Sequence, residues 1–137
     1  MTDDKFQLVL PSRLEAVADA ATAAAEAVGR SGLGDDAAFG IDMAVREAVA
    51  NAIKHGNQQD ETKTVEVTFT TAGGEFTVEV TDHGTGFHPE EIPDPTDPAN
   101  LLKASGRGIF FMRNFMDSVE WSTEPDGGTR VRMVKKI

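Results

Sequence analysis

The chain has no cysteine. That absence excludes disulfide staples and cysteine-based zinc sites, so a single apolar core must hold the fold. Long hydrophobic runs are missing too. No stretch approaches the roughly 20 apolar residues that cross a bilayer, and the polar, acidic start Met1–Asp4 is not followed by the apolar segment of a secretory signal. The expectation is a cytoplasmic protein with no membrane association. Positive charge is scarce, with 13 Lys and Arg against 23 Asp and Glu and a formal net charge of -10. Such a surface repels phosphate backbones, which argues against nucleic acid as a direct partner. An anionic nucleotide remains compatible if helix N-termini, local donors or a metal ion receive it.

The 137 residues are the size of one domain, and neither an internal repeat nor a second domain is visible. Lys5–Leu10 alternates as a short strand ended by Pro11. Ser12 with Glu15 has the spacing of a capping box, and Leu14, Val17, Ala21, Ala24 and Val28 follow at helical intervals. Gly29, Gly32 and Gly34 interrupt this helix. Asp35 or Asp36 is expected to cap a second helix running to about His55, with Ile41, Val45, Ala48, Val49, Ala52 and Ile53 as its apolar stripe. Two alternating runs, Val65–Phe69 and Phe76–Val80, flank a Gly73-Gly74 hairpin turn. From Gly84 to Gly106 periodic apolar residues are few and prolines frequent, the character of a functional loop or lid. A helix over Gly108–Met116, a strand at Val119–Trp121, a turn at Pro125–Gly128 and a last strand through Thr129, Val131 and Met133 complete the order. The fold class this predicts is α+β: a two-layer α/β sandwich with a mixed, mostly antiparallel sheet and helices on one face.

Three segments carry chemistry. Glu47 and Asn51 stand four residues apart, so a helix stacks them one turn apart and about 40° around the axis. An amide oxygen suits a hard cation such as Mg2+, and a carboxylate beside it can orient or deprotonate a nucleophile. Alone, the pair reads first as an ordinary surface pair on an amphipathic helix, because such pairs are common. Asp82, delivered by a strand end and followed by Gly84 and Gly86, can accept a hydrogen bond from an exocyclic amine such as adenine's, while the glycines let the backbone come close. Alone, this is equally an Asp-Gly turn. Gly106, Arg107 and Gly108 open a helix, where free N–H groups and the positive helix end receive anions; Lys103 and Arg107 add charge. Alone, this is equally a glycine hinge.

In this order the three segments resemble the boxes of the GHKL ATPase/kinase superfamily, whose fold is the Bergerat ATP-binding sandwich. More narrowly, the chain resembles the stand-alone serine kinases that act as anti-sigma factors, the RsbW and SpoIIAB type. The resemblance rests on Glu47–Asn57, Asp82–Gly86, Gly106–Gly108 and Gly128-Thr129 and covers residues 1–137 as one ATP-binding kinase domain. It implies ATP and Mg2+ as cofactors, with Asn51 as the metal ligand and Glu47 as general base. Asp82 would read the adenine amino group, with Gly84 and Gly86 against base and sugar. Gly106, Arg107 and Gly108 would cradle the phosphates, His55 would line the phosphate side, and Thr129 would reach adenine. It also implies phosphorylation of a STAS-type anti-sigma-factor antagonist, sequestration of a sigma factor, and a homodimer. The lid is shorter than in chaperone and topoisomerase relatives. One departure stands out: where SpoIIAB-type chains carry Arg before the second glycine pair, this chain has Ala104. That departure keeps an alternative open, a nucleotide-dependent partner-switching module with little phosphotransfer.

Overall fold

The computed structural model describes residues 4–84 and 112–137. Among these residues five strands form one sheet: β1 (Asp4–Pro11), β2 (Thr64–Ala72), β3 (Glu75–Thr81), β4 (Ser118–Thr123) and β5 (Thr129–Lys136). Their order is β1-β2-β3-β5-β4, and all four pairings are antiparallel, where the sequence allowed for a mixed sheet. Register follows from the alternation, because a one-residue slip would turn each apolar set outward. Leu8, Val67, Val80, Val131 and Trp121 pair in succession and make one apolar row across the sheet. Phe6, Phe69, Val78, Met133 and Val119 make the next. Gly73 and Gly74 both take positive φ, 61° and 77°, as the tight β2–β3 hairpin requires.

Two helices cover this apolar face. Helix α1 (Ala16–Ser31) lies over β1 and β2, and α2 (Asp35–Asn51) lies over β3 and β5. The buried α1 stripe is almost all alanine (Ala16, Ala20, Ala21, Ala24 and Ala27), small side chains that let α1 pack against α2. Beyond the loop, residues 112–115 form the end of the expected helix. Phe115 seats in the notch of Gly40 on α2, where an added Cβ would stand 3.1 Å from the Phe115 Cβ.

Two expected caps are corrected. Ser12 does not cap α1: helix entry is at Glu15 without a side-chain cap, and Leu14 lies outside the helix and exposed. The buried Ser12 hydroxyl instead donates to the Lys63 carbonyl at 2.6 Å. The α2 cap is Gly34, and Asp35 and Asp36 sit inside the first turn, where their charge favours the helix N-terminus. The same helix does not run on unchanged to His55. After Asn51 the backbone widens into a π-helical turn, Ala52–Gly56, a form found mostly as single turns near functional sites.

Asn57 follows this turn and is 1% exposed. Its Nδ2 donates to Ser12 Oγ (2.8 Å) and to the Thr64 carbonyl (2.9 Å), and its Oδ1 accepts the His83 N–H (2.8 Å). One side chain thus ties the end of β1, the start of β2 and the loop after β3. Asn57→Ala would leave these groups without their partner, and unmade buried hydrogen bonds cost about 1–3 kcal/mol each. We expect a loss of about 3 kcal/mol, read as a fall in Tm of roughly 10 °C. A Tm within a degree or two of the parent would refute the clasp.

Candidate functional site

A pocket opens where α2, the end of β3 and the β4–β5 hairpin meet. Helix α2 and its π-turn supply Ala48, Asn51 and Ala52; β3 and the residue after it supply Val80 and Asp82; the hairpin supplies Trp121, Thr129 and Val131; and Met112 closes a side. The lining is therefore apolar except at Asn51, Asp82 and Thr129. A concave apolar slot with a few convergent polar groups is the usual form of a small-molecule site.

Asp82 is 4% exposed. Its Oδ1 accepts the N–H groups of Gly84 (3.0 Å) and Thr129 (3.1 Å), and its own N–H donates to the Thr129 carbonyl (2.9 Å). Among the described residues Oδ2 has no hydrogen-bond partner and remains an acceptor. Burial raises the Asp82 pKa above the usual carboxylate range, against the opposing pull of the Gly84 and Thr129 N–H groups. Three glycines make this position possible. A Cβ on Gly56 would run into the Asp82 carboxylate, one on Gly84 into the Gly56 carbonyl, and one on Gly128 into the Asp82 carbonyl. The π-turn, the loop after β3 and the hairpin turn therefore meet at contacts with no room for a side chain.

Asn51 projects from the last residue of α2 into the pocket, and its Nδ2 is a fully buried side-chain nitrogen with no hydrogen-bond partner among the described residues. Such an orphan costs about 1–3 kcal/mol, and a native fold keeps one where a ligand can satisfy it. The amide also offers its oxygen, the donor type that Mg2+ takes from protein, so the residues present fit that ion. Glu47 lies on α2 one turn before Asn51, half-buried, with no hydrogen bond or ion pair among the described residues.

Asn51, Asp82 and Thr129 are thus brought to one pocket, with Gly84 packed at its rim and Glu47 on the adjacent turn. His55 lies on the π-turn with its side chain exposed, apart from the lining residues. Gly86, Lys103, Gly106, Arg107 and Gly108, with Ala104 and nearly all of the expected lid, lie outside the described residues. Sequence reasoning passed over Met112, Val80 and Trp121 as walls, and Gly56 as the residue facing Asp82. Trp121 is the only tryptophan of the chain, which was the available signal.

Residues 10–135 match the family described as a histidine kinase-like ATPase domain. An anti-sigma F factor of Clostridium botulinum (strain Eklund 17B / Type B) is 34% identical over 141 residues, which cover 100% of this chain and 97% of that protein. A serine-protein kinase RsbW of Listeria monocytogenes serovar 1/2a (strain ATCC BAA-679 / EGD-e) is 29% identical over 98% of this chain and 88% of that protein. Among solved structures, the crystal structure of the RsbU and RsbW domains of Rv1364c from Mycobacterium tuberculosis is similar with a TM-score of 0.70 at 18% identity. That likeness concerns the fold; it covers 97% of this chain, which spans about a third (32%) of the other's length.

Proposed function

The chain belongs to the histidine kinase-like ATPase family, and within it to the anti-sigma-factor serine kinases; from this premise we propose that it transfers the terminal phosphoryl group of ATP to a serine or threonine of a STAS-type antagonist protein and sequesters a sigma factor. The observation that carries the reading is the pairing, in one pocket, of an unsatisfied Asn51 amide with a buried Asp82 acceptor.

Each residue has a part in this reading. Asp82 Oδ2 accepts from the exocyclic amine of adenine, and the walls formed by Val80, Val131, Trp121 and Met112 suit the flat base. Asn51 holds Mg2+, which when bound neutralises charge on the phosphates. Glu47 takes the proton of the attacking Ser or Thr hydroxyl as its oxygen bonds to the terminal phosphorus, and the bond to the ADP oxygen breaks. Gly106, Arg107 and Gly108, with Lys103, receive the phosphates, and Gly86 approaches base or sugar. His55 lines the phosphate side. Thr129 reaches adenine from the hairpin. The protein works in the cytoplasm as a homodimer. No helix among the described residues is long and apolar enough to cross a membrane.

Transfer of label from γ-labelled ATP to a Ser or Thr of the antagonist, with Mg2+ present, is the expected result. Ala104 favours one other outcome. ATP binding and partner exchange without label transfer would replace the kinase by a nucleotide-dependent switch. Calorimetry that finds no Mg-ATP binding would sink both.

A further inference from the structure

Directly after Asp82, the ring of His83 stands between two carboxylates. Its Nδ1 lies 2.7 Å from Asp126 Oδ2 in the hairpin turn, and its Nε2 lies 2.7 Å and 3.0 Å from the two carboxylate oxygens of Glu66 on β2. A neutral imidazole has one N–H, whereas ionised carboxylates only accept. Both contacts are hydrogen bonds only when both ring nitrogens carry protons. The turn that His83 grips is the one that closes the pocket. Asp126 Oδ1 accepts the Gly128 N–H (2.9 Å), Gly128 lies against the Asp82 carbonyl, and the next N–H, that of Thr129, bonds the Asp82 carboxylate.

We propose that His83 is a positioning residue which, as an imidazolium, fastens the β4–β5 turn over the adenine-reading Asp82, so that nucleotide affinity weakens as the ring loses its proton. The charged groups facing it are Glu66 from β2, Asp126 from the turn and Asp82 beside it on the chain. After deprotonation one carboxylate faces a lone pair, and among the described residues the ring no longer offers a positive charge to the acidic side chains around it. Hydrogen bonding to Asp126 first, and the Glu66 contacts after it, raise the His83 pKa against the opposing effect of burial, while His83 lowers that of Asp126. The sign follows. A group whose folded-state pKa is raised contributes fully below its ordinary value and is lost as pH rises through the raised value, so the clip holds in mild acid and opens on the alkaline side.

The inference rests on the nucleotide reading above, and one experiment separates the two. ADP is titrated into the full chain from about pH 6 to pH 9, the range in which a raised imidazole titrates, with Trp121 fluorescence as the signal. The same series is run on His83→Gln, whose profile contains the titration of ADP itself. The wild type should lose affinity on the order of fivefold more than the variant across this range. Coupling is reciprocal, so ADP should raise the titration midpoint of the His83 ring, followed by NMR, by the same factor. Glu66→Gln keeps the ring but removes one carboxylate, and should move the affinity profile to lower pH. Parallel profiles for wild type and His83→Gln, or a ring midpoint that ADP leaves unmoved, would overturn the clip while leaving ATP binding intact. No ADP binding by the wild type at any pH would overturn both.

Discussion

Asn51→Ala is expected to abolish Mg2+-dependent nucleotide binding and to cut phosphotransfer by about 100-fold or more, with no loss of stability. The two halves have opposite causes. In the folded chain the Asn51 amide costs free energy, because Nδ2 is buried with no partner among the described residues. Alanine removes that orphan donor, worth about 1–3 kcal/mol, in exchange for a small void beside the pocket. Tm should therefore hold or rise slightly. In the loaded protein the same substitution removes the amide oxygen that would meet Mg2+. A surface pair on an amphipathic helix would give neither effect. Calorimetry with and without Mg2+, beside a thermal melt, decides: unchanged affinity in Mg2+ would refute the assignment.

Glu47→Gln should leave ATP affinity and Tm unchanged and lower transfer by roughly 10²–10⁴-fold, the range of a lost general base. The side chain is half-buried and makes no hydrogen bond or ion pair among the described residues, so glutamine keeps its volume and breaks no described contact. What disappears is a carboxylate able to take a proton. Single-turnover transfer under saturating ATP isolates that step from binding. A variant with parental transfer rates would remove Glu47 from the chemistry; one that fails to bind ATP would make it a ligand-holding residue instead.

Much of this was legible in the chain because it is local. The alternation in Val65–Phe69 and Phe76–Val80 gave two strands and their shared face, and Gly73-Gly74 gave their turn. The i, i+4 spacing of Glu47 and Asn51 put both on consecutive turns of one helix, as α2 has them. What was not legible depends on distant partners. Ser12 has the spacing of a helix cap, but Lys63 and Asn57 claim its hydroxyl from 51 and 45 residues away. The π-turn was hidden because Ala52 and Ile53 continue the apolar stripe of α2; one extra residue in a turn leaves no mark on such a pattern. Gly56 looks like an ordinary helix breaker until Asp82 is placed against it. His83 looks like a loop residue until β2 and the hairpin turn bring Glu66 and Asp126 to it.

The strand order has a consequence for how the molecule comes apart. Strand β3 is the middle of the five, with β2 and β1 on one side and β5 and β4 on the other. Among the described residues β1 and β4 are the outer strands, where fraying begins before it works inward. Asp82 continues directly from β3, and its backbone is bonded to Thr129 at the start of β5. From the β1 side all of β2 must loosen before Asp82 is reached, whereas on the β4 side Thr129, which holds Asp82, is itself paired to Thr123 of β4. The floor of the pocket is therefore shielded from loosening at β1, while loosening at β4, which carries Trp121 and pairs with Thr129, reaches the pocket directly.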